Sequence, residues 1–247
     1  MDSLFIIFYA TMSLLVAGTV KGAVGLGLPT TALGLLTLAI DPRAAIAMVL
    51  IPMMTTNLWQ VYRQGEVLRA LRTYAPFGLA LAVGVAVTLV LTRDAPDRLL
   101  FGTLGGAILI FVALSVTRWK PSLPDRWDNA GQVGFGLVGG ALGGLTSVWA
   151  PPMAIYLAAR KTPKAEFVRA CGLLIFCGSI PLALGYVASG FMTAKTALVS
   201  FGLLVPTLLG FAFGERLRNH LSEEAFRRWL LGVFFLMGLN LLRRAAF

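Results

Sequence analysis

Residues 16–32 of the chain are VAGTVKGAVGLGLPTTA, and residues 138–154 are VGGALGGLTSVWAPPMA. Each stretch lies within a long apolar segment: residues 3–40 contain one charged side chain, Lys21, and residues 129–159 contain none. A straight helix of either length would be far longer than the roughly 30 Å core of a bilayer. Glycine and proline interrupt helices. We therefore predict that each segment is a broken or re-entrant hairpin that begins and ends on the same side of a membrane.

The composition indicates a membrane protein. Hydrophobic residues make up 57% of the 247 positions, charged residues make up 13%, and the mean hydropathy is +0.81. A soluble domain would need more polar surface, and the strands of a membrane barrel would alternate apolar and polar residues. We expect an all-α polytopic membrane protein with about eight helical membrane segments. Six of them are runs of ordinary length, at 44–61, 73–92, 99–117, 170–187, 196–213 and 225–242.

The two glycine-rich stretches also indicate an internal duplication. With a shift of 122 positions, Val16, Gly18, Gly22, Pro29 and Ala32 meet the same residue types in the second stretch. Three ordinary spans follow each stretch, so we predict two transmembrane repeats, 1–120 and 121–247. Three full crossings per repeat is an odd number, and the repeats would therefore be inverted relative to each other. Inverted repeats with discontinuous helices are a common plan among secondary transporters.

The net charge of +10 is predicted to orient the chain in the bilayer and to favour anionic lipids, not nucleic acid. If both glycine-rich segments are hairpins, 14 basic residues lie on one side of the membrane and 6 on the other, whereas eight simple crossings give 9 and 11. Arg169, which opens a span, is interpreted as an interface anchor, and a homo-oligomer is left open. The side richer in basic residues is predicted to be cytoplasmic, and its loops are 62–72, 118–128, 160–169 and 214–228.

The residue types disfavour an enzyme. No carboxylate lies within a span, the single histidine (His220) is in a polar loop, and Cys171 and Cys177 have neither disulfide nor metal-site spacing. We therefore predict no catalytic residue, no metal site and no cofactor. The lack of a carboxylate within a span also disfavours a proton or cation carrier.

Lys21 is the strongest candidate for binding a substrate. An ammonium group within an apolar segment is costly unless it faces a polar cavity or a partner. It could attract an anionic substrate, or it could snorkel to an interface or pair with a loop acid. Helices restarting after Pro29 and Pro151 would also direct their positive N-terminal ends at one anion. The predicted substrate-binding residues are Lys21, Gly22, Gly25, Gly27, Pro29, Thr30, Thr31, Asn57, Thr146, Ser147, Trp149 and Pro151.

Many of these residues also have a purely structural interpretation. The four hydroxyl groups could bond to their own helices, and Asn57 and Gln60 could join neighbouring helices. Trp149 could close the site or simply pack. The GxxxG spacing of Gly18 and Gly22, which recurs in the second stretch, also permits close helix packing.

The sequence resembles the sulfite exporter TauE/SafE family, also called TSUP, at both breaks. The resemblance rests on the short loops Asp41-Pro-Arg-Ala-Ala and Thr162-Pro-Lys-Ala and on Gly18, Gly22, Gly25, Gly27, Pro29, Gly139, Gly140, Gly143, Gly144 and Pro151. It implies movement of sulfur-containing anions, such as sulfite or organosulfonates, across the cytoplasmic (inner) membrane of a prokaryote, and does not fix the substrate or the direction. Our prediction is a secondary transporter of sulfite or an organosulfonate such as sulfoacetate that works as an exporter by alternating access. The alternatives are a carrier for another solute, such as an amino acid or a metal ion, and a non-transporting membrane scaffold.

Overall fold

The computed structural model describes residues 3–117, 122–217 and 223–246, and every regular element in these ranges is helical. The predicted all-α fold is confirmed. Residues 118–121 and 218–222, which belong to two of the predicted loops and include His220, lie outside the described residues. A 3-10 turn at Asp125–Trp127 precedes the seventh helix. The α-helices are α1 (Ser3–Val24), α2 (Leu28–Leu36), α3 (Pro42–Gln64), α4 (Val67–Thr73), α5 (Ala75–Leu91), α6 (Asp97–Val116), α7 (Asp128–Thr146), α8 (Ala150–Ala159), α9 (Lys164–Ala188), α10 (Ala194–Gly202), α11 (Leu204–Leu217) and α12 (Glu223–Ala246).

Several helices are long and apolar enough to cross a membrane. Within the described ranges these are Leu4–Val24, Pro42–Gln64, Asp97–Val116, Ala165–Ala188 and Ala194–Leu217, the last of which joins α10 and α11. α4 and α5 form a sixth candidate span that is bent by 71°. The chain is therefore a multi-pass membrane protein, and the number of eight membrane segments stays a prediction.

Both glycine-rich stretches break the helix, as predicted. Residues 25–27 separate α1 from α2, and Gly25 and Gly27 have φ angles of +88° and +95°. Residues with a Cβ rarely adopt such angles, so glycine suits both positions. Residues 147–149 separate α7 from α8, and Ser147 has a φ angle of +58°. A proline stands in the first turn of both α2 and α8, where its missing N–H costs no helical hydrogen bond.

Each broken segment folds back on itself. The hydroxyl of Tyr9 in α1 donates to the carbonyl of Leu35 near the end of α2, at 2.9 Å. The hydroxyl of Tyr156 near the end of α8 donates to Oδ1 of Asp128, the first residue of α7, at 2.8 Å. The second arms have 9 and 10 residues and are therefore about 14–15 Å long, roughly half of a bilayer core. Their N-terminal ends consequently lie deep in the helix bundle.

The first helix of each predicted repeat packs tightly on the other repeat. Gly18 of α1 contacts the carbonyl of Thr207 in α11, and Gly22 contacts the carbonyl of Phe211. The residue numbers rise together along both helices, so α1 and α11 run parallel. α7 crosses α5 in parallel through glycines in the same way. A Cβ at Gly18 would lie 2.2 Å from the carbonyl oxygen of Thr207, so this approach requires glycine. The close packing that the GxxxG spacing permits is confirmed at both crossings.

Further contacts show the directions of the central helices. The carbonyl of Met48 accepts a hydrogen bond from Ser200, and Arg63 pairs with Glu215 at 2.8 Å, so α3 runs parallel to α11. α3 is antiparallel to α9, and α9 is parallel to α5. It follows that α1 and α7 run in opposite directions. An inverted repeat requires this opposition, and the repeats 1–120 and 121–247 stay a prediction.

The described parts of the four loops predicted to be cytoplasmic meet at one end of the bundle, which we call the basic end. Ion pairs join the loops there: Arg63–Glu215, Arg169–Glu66 and Arg160–Asp125. The Asp125 carboxylate raises the pKa of the Arg160 guanidinium. At the opposite end, Arg43 pairs with Asp97 at 3.1 Å. The loops are thus distributed between the two ends as predicted, and the assignment of the basic end to the cytoplasm stays a prediction.

Candidate functional site

The ammonium group of Lys21 is buried inside the bundle. Lys21 lies in the last turn of α1, and its Nζ donates to Oδ1 of Asn57 in α3 at 2.6 Å. The two residues are 2% and 1% exposed. The Asn57 side chain is held in place because its Nδ2 donates to the carbonyl of Met53 at 2.7 Å. Snorkelling of Lys21 to an interface is therefore excluded.

The site contains a cation that is not neutralised by a carboxylate. The ion pairs within the described residues lie at the two ends of the bundle, and none of them includes Lys21. An ammonium group has three N–H donors, and one of them is used by Asn57. A buried ion without a counter-charge is costly. The arrangement can therefore accept an anion with a gain in both charge and hydrogen bonding.

The second break approaches the same turn of α3. The hydroxyl of Ser147 donates to Sδ of Met53 at 3.7 Å, and Met53 precedes Asn57 by one helical turn. Lys21 contacts this turn from the first hairpin, and Ser147 contacts it from the second. Because residues four apart share a helix face, the two breaks approach the same face of α3.

Trp149, which follows the second break, packs against two glycines. A Cβ at Gly143 in α7 would lie 1.6 Å from its Nε1, and a Cβ at Gly178 in α9 would lie 3.2 Å from the same atom. In the predicted duplication, the shift of 122 positions pairs Lys21 with Gly143. The loops that follow the hairpins, which begin at Asp41 and Thr162, align at a shift of 121, and this shift pairs Asn57 with Gly178. If the two repeats correspond in this way, the indole of Trp149 lies at the positions that match the ammonium–amide pair of Lys21 and Asn57.

Two buried donors near the breaks have no hydrogen-bond partner within the described part of the chain. These are Oγ1 of Thr31, in the first turns of α2, and Nε1 of Trp149. Thr146, in contrast, donates to the carbonyl of Leu142 and accepts from the N–H of Val148, so it follows the structural interpretation of its hydroxyl. A buried polar group without a partner is unfavourable, and Thr31 and Trp149 are therefore available to a ligand.

The N-terminal ends of α2 and α8 differ in the donors that they offer. α2 begins after Gly27 with no side-chain cap. In α8, two prolines without N–H groups follow Ala150, and the next N–H, of Met153, approaches the carbonyl of Trp149 at 3.5 Å. The predicted anion site at the N-terminal ends of α2 and α8 therefore has fewer free backbone N–H donors at α8 than at α2.

The other predicted site residues lie at the edges of this region. Gly22 lies in the crossing of α1 and α11, and Gly25 faces Val168 of α9, 3.6 Å from the position of a Cβ. Thr30 is buried in the first turn of α2. Gln60 donates to the carbonyl of Val168 at 2.7 Å, which is the helix–helix hydrogen bond considered above. Pro29 and Pro151 lie in the first turns of the second arms.

Sequence reasoning missed several contacts and residues around the site. Arg169, interpreted as an interface anchor, also pairs with Glu66 at 2.8 Å and donates to a backbone carbonyl of α3. Gly172, which follows the buried Cys171, packs against the carbonyl oxygen of Asn57, 3.3 Å from the position of a Cβ. Met53 joins the two breaks and has no distinguishing feature in the sequence. Gly178 could have been found by extending the alignment of the two repeats.

The chain matches the family described as sulfite exporter TauE/SafE over residues 10–241. This match covers nearly the whole chain, and the protein therefore belongs to that family, whose members are membrane transporters and not enzymes. No curated protein and no solved structure matches the chain.

Proposed function

We propose that this member of the TauE/SafE family exports sulfite or a short organosulfonate, such as sulfoacetate, across the inner membrane of a prokaryote. The observation that carries the proposal is the buried ammonium of Lys21, which is held by the neutral side chain of Asn57. A neutral partner positions the cation without cancelling its charge. The basic end of the bundle would face the cytoplasm, as the loop charges predict.

The substrate oxygens would be bound by donors from both halves of the chain. The ammonium of Lys21 supplies the charge, and the free hydroxyl of Thr31 and the indole N–H of Trp149 supply further hydrogen bonds. Charge-assisted hydrogen bonds to an oxyanion are strong, and the scarcity of water inside the bundle strengthens them further. Sulfite and sulfonates present several such oxygens on one sulfur atom.

Transport would proceed by alternating access, with the substrate held between the two hairpins. Lys21 and Trp149 are 2% and 1% exposed, and this burial supports a closed conformation in such a cycle. The oppositely directed hairpins could open in turn toward the basic end and toward the opposite end. Helix breaks beside the substrate let each hairpin tip move without distorting a continuous helix.

The alternative functions have less support. A carrier for metal ions would place a cation next to Lys21, which would repel it, and a zwitterion would need an acidic partner for its amino group. A scaffold gains nothing from interrupting two helices in the interior of a membrane protein, since every freed backbone group must be satisfied again.

Flux of radiolabelled sulfite into everted membrane vesicles, whose outer surface is cytoplasmic, tests the proposal. Lys21→Met should lower the flux about tenfold or more, because loss of one charge-assisted hydrogen bond costs roughly 1.5–3 kcal/mol. Lys195→Met removes an exposed charge at the opposite end and should leave the flux unchanged. The proposal is wrong if the wild-type protein carries an amino acid or a divalent metal but not sulfite, or if Lys21→Met carries sulfite at the wild-type rate.

A further inference from the structure

The guanidinium of Arg169 has an incomplete set of hydrogen bonds. Arg169 lies in the first turns of α9 at the basic end, and its side chain is 13% exposed. Its Nη1 donates to Oε2 of Glu66 at 2.8 Å, and its Nη2 donates to the carbonyl of Gln64 at 3.3 Å. Its Nε is buried and has no partner among the residues that the structure describes. One buried N–H of a cation is therefore free for an acceptor.

Arg169 lies between the basic end and the Lys21 site. The neighbouring residue, Val168, packs against the first break at Gly25, 3.6 Å from the position of a Cβ. Three residues after Arg169 in α9, Gly172 packs against Asn57, the partner of Lys21, and a Cβ at Gly172 would lie 3.3 Å from the carbonyl oxygen of Asn57. The first turns of α9 therefore separate the buried ammonium from the basic end. Arg169 thus lies on the side of Lys21 from which an anion would arrive from the basic end.

The carboxylate that pairs with Arg169 belongs to Glu66, which forms with Gly65 the joint between α3 and α4. Glu66 has a φ angle of +49°, which is uncommon for a residue with a side chain, and Gly65 beside it has a φ angle of +67°. A Cβ at Gly65 would meet nothing within 4 Å, so there is open space at this position of the joint between α3 and α4. Glu66 also pairs with Arg69 at 3.4 Å, and its side chain is 52% exposed. Such a joint can move the carboxylate away from Arg169 at little cost.

We propose that Arg169 is an entry site for the transported oxyanion, and that the carboxylate of Glu66 neutralises its guanidinium in the closed conformation. This inference rests on the proposed function. An arginine binds a carboxylate and a sulfonate through the same planar set of donors. The entering anion would accept hydrogen bonds from the free Nε and from Nη2 on the same edge of the guanidinium, and its charge would weaken the pair between Nη1 and Glu66. Glu66 would then be released toward solvent together with the joint to α4.

The concentration dependence of sulfite uptake by everted vesicles tests the entry site. Removing the competing charge with Glu66→Gln should lower the KM for sulfite about fivefold, the size expected for one partly exposed ion pair, while the maximal rate changes less than about twofold. Arg169→Gln should raise the KM about tenfold. The double variant should behave as Arg169→Gln, since Glu66 acts only through Arg169. Arg69→Gln breaks the other ion pair of Glu66 and serves as the matched control, with an unchanged KM.

The outcomes separate this inference from the proposed function. An unchanged KM in Glu66→Gln with normal flux, or a double variant that keeps a lowered KM, overturns the entry site and leaves the proposed function intact. A wild-type protein that carries no sulfite overturns both. If Arg169→Gln does not fold, Arg169→Lys replaces it, because lysine keeps the charge and loses the planar donors. That variant should raise the KM several-fold, and a wild-type KM in it also overturns the entry site.

Discussion

The ammonium of Lys21 and the side-chain oxygen of Asn57 lie 2.6 Å apart in the interior of the bundle. An asparagine at this position orients the ammonium and leaves its charge available, whereas an aspartate would neutralise it. The Asn57 amide is itself held by the carbonyl of Met53 in its own helix, so the acceptor is in place before a ligand binds. The pair can therefore be tested by changing one functional group of Asn57.

Asn57→Asp should strongly reduce anion transport while Lys21 is still present. The new carboxylate would form a buried ion pair with the ammonium and occupy the position of the substrate charge, so sulfite flux should fall about tenfold or more. Asn240→Asp, which adds the same charge in the last helix at the opposite end, is the control and should retain flux. Radiolabelled sulfite uptake by vesicles measures both variants, and wild-type flux in Asn57→Asp would show that the charge of Lys21 is not used.

Trp149→Phe should weaken substrate binding without destabilising the protein. The indole N–H has no partner in the described residues, so its removal costs the empty protein no hydrogen bond. If the N–H binds a substrate oxygen, its loss should raise the KM for sulfite about fivefold to tenfold. Trp59→Phe changes an exposed tryptophan of α3 and serves as the control. Equal KM values for Trp149→Phe and the wild type would mean that Trp149 only packs.

The sequence was sufficient for features that depend on local chemistry. Glycine and proline predicted both helix breaks, and the loop charges predicted which loops share an end. The sequence could not predict that Asn57 faces Lys21, that Trp149 lies on Gly143, or that Glu66 pairs with Arg169. These contacts depend on which face of each helix points inward. Helices that are apolar on all sides carry little signal of their orientation.

Gly143→Ala should destabilise the second break. A Cβ at this position would lie 1.6 Å from the indole nitrogen of Trp149, so the indole must leave its place between α7 and α9. Overpacking of this kind costs about 1–3 kcal/mol, and the melting temperature of the purified protein should fall by several degrees. Gly134→Ala in the same helix meets nothing within 4 Å and should be neutral or stabilising. Equal melting temperatures for the two variants would contradict the close contact.

Gly18→Ala should disrupt the crossing that joins the first hairpin to α11. Its Cβ would lie 2.2 Å from the backbone oxygen of Thr207, and backbone, unlike a flexible side chain, cannot turn away from the new methyl group. The two helices must therefore separate, which should cost about 1–3 kcal/mol or more and lower the melting temperature. Gly106→Ala in α6, which meets nothing within 4 Å, is the matched control and should melt at or above the wild-type temperature. Because Lys21 lies one turn beyond Gly18 in α1, the separation should also displace the ammonium from Asn57 and reduce sulfite flux. A Gly18→Ala variant with wild-type stability would show that α1 and α11 are not in close contact.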